Sequence, residues 1–479
     1  MKYANNRHSL KSPLLEEYMR ITNTMVSNTM LGNINRNQTA VHRIMNQMST
    51  QRLISSAHEN PLMAARHLRI ENTRAQIAQH QSNVNHANAW TEITEKAVED
   101  LTRVMTRLEE LLNRADSVET LEDKRVIATD INALISEKRT IMNTTFSGRH
   151  IFSGHRTDQP PFFNRDMPNL EFTDITTQFS LNDLETTPKL DRSGMFETPP
   201  NLDSVQTVEV SRLRLPHNGN ADSVRINGSA VPSIDSSMRL PNGEINLSAL
   251  SSTGIYHDPE TGSLISLSNS GFDFTGGLTV EYDQTGFSEG CLNPVVFFTA
   301  TDQNGTTFNM NNQNMSFEFG VGTHLNINLL AKNLVTGSMF ADIRGFSSDI
   351  LNLNLNTEAT LRSKGITDEN EITEFLTRER AMADTITADR FNNLIGRMSA
   401  YQDSIASQQT DLGTRMVRID MIGERLESDS LTFEELSTNN IGTNMAEAAT
   451  RLMTAELALT AAMQVGMHNL MTLTLLNFL

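Results

Sequence analysis

The stretch SSAHENPLMAARHLRIENTRAQIA, Ser55 to Ala78, marks the start of a long helix. Asn60 is of a favoured N-cap type, and Pro61 at the first helical position gives up only an N–H that would be unpaired there anyway. Stepping by seven from Ile70 gives Ile77, Val84, Thr91, Val98, Met105 and Leu112, and only Thr91 breaks the apolar row. A companion row holds Ala87, Leu101, Leu108 and Ala115. A sustained heptad spacing specifies a coiled-coil seam rather than an ordinary amphipathic helix.

The same spacing returns toward the C-terminus. From Phe391 it runs through Met398, Ile405, Leu412, Ile419 and Leu426, all apolar, with Leu394, Tyr401 and Ile422 in a second row. A shorter row, Ile34, Val41 and Met48, with Leu31 and Met45 beside it, precedes Asn60-Pro61. Another, Ile127, Ile131, Leu134 and Ile141, follows a loop at Asp116-Ser117. The last helix, from about Asn444, carries Met445, Leu452, Leu459 and Leu473 on one face.

Between the helical ends, from His155 to about Asn312, the chain is rich in Gly, Asn, Ser, Thr and Pro. Short alternating runs such as VQTVEVSRLRL and NPVVFFTA read as strands. SFEFGVGTHLNINLL, Ser316–Leu330, reads as a hairpin returning to helix: Phe317, Phe319 and Val321 alternate and Gly322 permits the turn. The expected fold is α+β, with long antiparallel helical or coiled-coil ends from both termini and a β-rich inserted domain. The expected divisions are an extension at 1–18, a helical domain at 19–154, an outer domain at 155–360 and a C-terminal helical domain at 361–479.

Composition narrows the function. The 479 residues include one Trp, five Tyr, one Cys and 24 Met, so methionine fills apolar positions that aromatics fill in most enzyme cores. A formal net charge of −18 argues against nucleic acid or an anionic membrane as main partner and favours a soluble monomer. The lone Cys291 excludes an internal disulfide and any zinc cluster built on cysteine. No segment has the roughly 18 apolar residues of a membrane span, and the N-terminus has no signal-peptide core.

Catalytic and metal-ligating patterns are not visible. His80 and His86 are six apart on a helix and point to different faces, whereas a zinc pair needs i, i+4. TGGLTVEYD lacks phosphate-loop spacing. FSGRHIFSGHR repeats Phe-Ser-Gly; a turn between helix and β-region, using Gly148 and Gly154, explains it better than an anion loop. No catalytic residue, cofactor or metal is expected.

At both ends the sequence resembles the flagellar hook–filament junction family, hook-associated protein 3, a relative of flagellin. The resemblance rests on MRITNTM from Met19, on Met48–Trp90 with its Ser-rich turn, Pro-started helix and Trp, and on GRHIFSGHRTDQPPF from Gly148. It continues in SFEFGVG, NLVTGSMFADI, RIDMIGERLE and the ending LNFL. Two positions depart from the family pattern: Gln51 stands where Gly is usual, and Glu59-Asn60-Pro61 replaces Asp-Asp-Pro.

The resemblance implies a structural flagellar subunit, exported unfolded by the flagellar type III system, that adapts hook to filament and is not an enzyme. Its implied partners are hook-associated protein 1 on the hook side, flagellin on the filament side, copies of itself in a ring and a cytoplasmic export chaperone, with no nucleic acid and no membrane insertion. The implied assembly seam comprises the rows Ile34, Val41, Met48; Ile70, Ile77, Val84, Val98, Met105, Leu112; and Phe391 to Leu426. The segment before Met19 is a further departure from the family pattern: either it is a genuine extension or Met19 is the true start. The alternatives are a minor flagellin, a coiled-coil-anchored adhesin or enzyme, and a cytosolic coiled-coil scaffold.

Overall fold

The computed structural model describes residues 23–116, 120–163, 172–216, 224–267, 271–282, 292–297, 299–302, 307–308 and 313–476. The extension 1–18, Met19, Cys291 and the last three residues lie outside them. The long helices are α1 (Asn23–Thr50), α2 (Pro61–Asp116), α3 (Leu121–Met142), α4 (Gly337–Leu351), α5 (Glu369–Ile441) and α6 (Met445–Leu476). The fold is α+β. It divides into two compact units, Met1–Gln79 with Leu426–Leu479, and His80–Arg425.

The first unit is helical. α1 packs against α6, and the start of α2 runs beside the end of α5. Both pairs are antiparallel. Asn37 Nδ2 donates to the Ala458 carbonyl, Ser437 Oγ to Glu71 Oε1 at 3.0 Å, and Asn440 Nδ2 to the Met63 carbonyl at 3.2 Å.

The second unit holds the β-structure. A four-stranded antiparallel sheet orders Leu184–Asp191, Gln206–Arg214, Ser263–Ser266 and Tyr256–Asp258. A six-stranded antiparallel sheet orders Thr307–Phe308, Thr299–Asp302, Phe172–Phe179, Leu278–Tyr282, Val224–Ile226 and Ser229–Ala230. Two hairpins stand apart. In Thr145–Phe146/Arg149–His150 the turn residues Ser147 and Gly148 both have positive φ, 50° and 77°, which matches the right-handed twist of the strands. In Ser316–Gly320/Thr323–Asn326, Val321 leaves the strand alternation and stands 91% exposed at the tip, followed by Gly322 at φ 73°.

The first turns of α5 serve the β-region. Ile372, Phe375 and Ile386 share a core with Leu190, Met195, Leu202, Val205, Leu361 and Ile366. Farther along, α2 and α5 run antiparallel. Gln402 Nε2 donates to Glu109 Oε2 at 2.8 Å and Asn88 Nδ2 to Asp420 Oδ1 at 3.1 Å. A Cβ on Gly423 would meet Val84 Cγ1 at 3.3 Å, so a close approach needs the small residue there.

Under the four-stranded sheet lies a buried ion cluster. Asp349, on α4, takes Arg212 Nη1 at 2.8 Å, Arg214 Nη2 at 2.5 Å and Arg390 Nη1 at 2.5 Å on one oxygen. Glu185 accepts from Arg214 Nε at 3.1 Å. Burial alone would raise the Asp349 carboxyl, but the three guanidiniums outweigh it and hold it well below the usual carboxylate range. Gly345 lets Arg214 through, because a Cβ there would fall 1.8 Å from Arg214 Nη1.

Candidate functional site: the paired terminal helices

Asn60 and Pro61 open α2. Asn60 Oδ1 accepts from the Met63 N–H at 3.2 Å, and its carbonyl receives the Ala64 N–H at 3.0 Å. Glu59 does not cap the helix. It turns back and receives the Ser55 hydroxyl at 2.8 Å and the Ser55 N–H at 3.1 Å, and these two hydrogen bonds lower its carboxyl below the ordinary value.

Gln51 adopts the left-handed conformation, φ 58°, where glycine fits without strain. Its loop is clasped to the loop between α5 and α6. Thr443 N–H donates to the Gln51 carbonyl at 3.0 Å, and Leu53 N–H to the Ile441 carbonyl at 2.7 Å. Two helix reversals are thereby tied to each other by backbone hydrogen bonds, and Gln47 Nε2 adds one to the Leu53 carbonyl at 2.7 Å.

Above the clasp, the covered positions of α1 include Met30, Ile34, Asn37, Val41, Ile44 and Met48, which alternate by three and four. Ile34 and Met48 are half-buried and Val41 is buried. The second row differs from the one expected. Met30, Asn37 and Ile44 face inward, while Leu31 and Met45 are 52% and 48% exposed. Apolarity alone favours Leu31 and Met45 as neighbours of the row; the handedness of the pair selects the other flank, polar Asn37 included.

The α6 positions turned from solvent are Ala448, Leu452, Ala455, Leu459, Ala462 and Gly466, a heptad ladder of small and branched residues. Met445 falls outside it, in the exposed first turn. Gly466 receives Met30: an added Cβ would sit 2.3 Å from Met30 Cε. This ladder had a sequence signal, period and small size, but alanine reads poorly as apolar in a Met-rich helix.

Much of the remaining surface of the pair is also apolar. Met25 and Val26 on α1, and Met453, Leu457, Val465 and Met467 on α6, are exposed; Leu457 and Met453 are more than 70% so. No Asp, Glu, Lys or Arg occurs from Leu457 to Leu476. Met25, Val26, Thr29, Met30 and Asn33 with Ala461, Ala462 and Val465 line an open groove of about 620 Å³.

The other expected seam residues are internal. Ile70 is half-buried, and Ile77 and Leu426 are buried in the first unit. In the second unit Val84, Val98, Met105, Leu112, Phe391, Met398, Ile405, Leu412 and Ile419 are all buried. Thr91 keeps its place in the row because its hydroxyl donates to the Ala87 carbonyl of its own helix at 2.9 Å.

Among the described residues no group of three or more His, Cys, Asp or Glu could hold a metal, and no helix is long and apolar enough to cross a membrane. The outer side of the pair is apolar along Met25, Val26, Met453, Leu457, Val465 and Met467.

Part of the chain is similar to known proteins. Residues 21–157 match the bacterial flagellin N-terminal helical region. Two curated relatives are similar, each over 146 residues, 30% of this chain and 46% of the relative. Flagellar hook-associated protein 3 of Salmonella typhimurium is 23% identical, and that of Escherichia coli is 25% identical. The chain thus spans about half the length of the curated relatives it matches. FlgL of Xanthomonas campestris overlays at 13% identity with TM-score 0.34, covering 77% of this chain and 99% of that one, too loosely to transfer any feature.

Proposed function

We propose that this chain is a structural subunit of the bacterial flagellum, the adaptor at the hook–filament junction on which the flagellin filament assembles. It resembles hook-associated protein 3, and the observation that carries the reading is the surface of α1 and α6. A paired helical terminus that keeps Met25, Val26, Met453, Leu457, Val465 and Met467 in water is stable in a lattice that covers them. Copies of the chain in a ring would cover one flank, hook-associated protein 1 the hook side and flagellin the filament side, with an export chaperone shielding the same face before secretion. The subunit is not an enzyme, and it works outside the cell after type III export. Residues 19–154 and 361–479 act as helical domains and 155–360 as the outer domain.

The test is electron microscopy of a strain lacking the gene. The expected cells carry hooks, shed flagellin into the medium and have no filaments. A minor flagellin would leave filaments in place, and a cytosolic scaffold would leave the flagellum intact. Either result overturns the junction role.

A further inference from the structure

The ion cluster of the second unit borders a cavity of about 490 Å³, lined by Lys189, Arg192, Arg212, Arg239, Glu244 and Asp349 among others. That size falls within the roughly 300–1,000 Å³ of small-ligand sites. Its cations are unevenly paired. Arg239 is matched, with Asp258 at 2.6 Å and Glu260 at 2.8 Å. Among the described residues Arg212, Arg214 and Arg390 are ion-paired only with Asp349 and Glu185, and Arg212 Nε has no hydrogen-bond partner there.

Arg192 is less satisfied still. Its side chain is 5% exposed, its carboxylate neighbours Glu244 and Glu379 stand at 3.6 and 3.3 Å, and its Nε and Nη2 make no hydrogen bond. Lys189, only partly buried, lines the same cavity and has no hydrogen bond or ion pair among the described residues. Burial first, then the Arg212 charge, push its ammonium down to about 8. Buried donors without acceptors are costly, and native proteins normally satisfy them with protein, water or ligand.

We propose that this cavity binds a small organic or inorganic oxyanion, a carboxylate or phosphate group held by Lys189, Arg192 and Arg212. An oxyanion supplies the acceptors these three side chains lack and offsets the local excess of positive charge around Asp349. Glu244 sets the limit on affinity, since it is the carboxylate that competes for Arg192 from the cavity wall. The site is independent of the junction role.

Isothermal titration of the full chain with citrate and with inorganic phosphate, at matched ionic strength in sodium chloride, tests this. Saturable binding of at least one is expected, weakened tenfold or more by Lys189→Gln and tightened by Glu244→Gln. The Glu244→Gln arm decides the matter if Lys189→Gln does not fold. No saturable heat with either anion overturns the proposal; so does binding that both variants leave unchanged, which would mark an adventitious ion only.

Discussion

The two units solve opposite problems with the same raw material. The second unit closes its heptad rows upon itself: Val98, Leu112, Leu412 and Ile419 are all fully buried, and the guanidiniums around Asp349 are interior too. The first unit satisfies its backbone, through the Asn60 cap and the Gln51–Thr443 clasp, yet leaves large apolar side chains in water. Heptad periodicity therefore marks packing within the chain in both units, and in the first unit the exposed apolar residues lie off the packed rows.

The contrast breaks most sharply at Asp349. Asp349→Asn leaves three buried guanidiniums without their shared counter-charge and should cost the second unit about 3–5 kcal/mol. Urea unfolding followed by Trp90 fluorescence reads this unit, since Trp90 is the single Trp and is buried there against Phe146. An unchanged midpoint would mean that the cluster is not holding the sheet to α4 and α5.

Leu412→Asp should follow closely. Leu412 is fully buried, and a carboxylate there costs several kcal/mol, on the order of the price of any unpaired buried charge. Exposed Thr410→Asp should stay within about 0.5 kcal/mol. Comparable stability of the two variants by the same assay would show that the α5 row is not packed.

Lys138 tests the interior in the opposite direction. It is 2% exposed, its ammonium has no hydrogen-bond partner among the described residues, and it lies 5.5 Å from the centroid of the Phe340 ring. Burial first, then the Arg139 charge, lower it to about 7. The unfolded chain therefore holds this proton between about pH 7 and 10.5 while the fold does not, so stability from this group rises with pH across that window. Lys138→Met should stabilise by about 1–3 kcal/mol at neutral pH and remove that part of the slope. Urea midpoints at pH 7 and 9 check both, and a less stable Lys138→Met would refute the assignment.

In the first unit effects on folding should be small. Gln51→Gly relieves an exposed residue in the left-handed region, and should gain about 0.5–1 kcal/mol in helical melting by circular dichroism. Leu457→Ser should change melting by less than about 0.5 kcal/mol while filaments fail to form in complemented cells. Normal filaments with this variant would show that the exposed α6 face is not an assembly surface.

Several features were legible in the residues themselves. Asn60-Pro61 states a helix start because the cap and the missing N–H are local chemistry. The rows from Ile70 to Leu112 and from Phe391 to Leu426 state their buried faces because a helix maps period onto direction. Gly148 and Gly322 state turns because few residues accept their φ. The helical ends and the β-rich middle follow from these.

Other features needed the chain to fold. Whether Leu31 or Met30 faces α6 depends on how two helices cross, and both flanks of the row carry apolar residues. The Asp349 cluster gathers Glu185, Arg212, Arg214 and Arg390 from two strands and a distant helix, and no short-range pattern links them. Nor could periodicity say which helix covers each row, because a heptad fixes the side of a helix that must be covered while only tertiary packing decides what covers it.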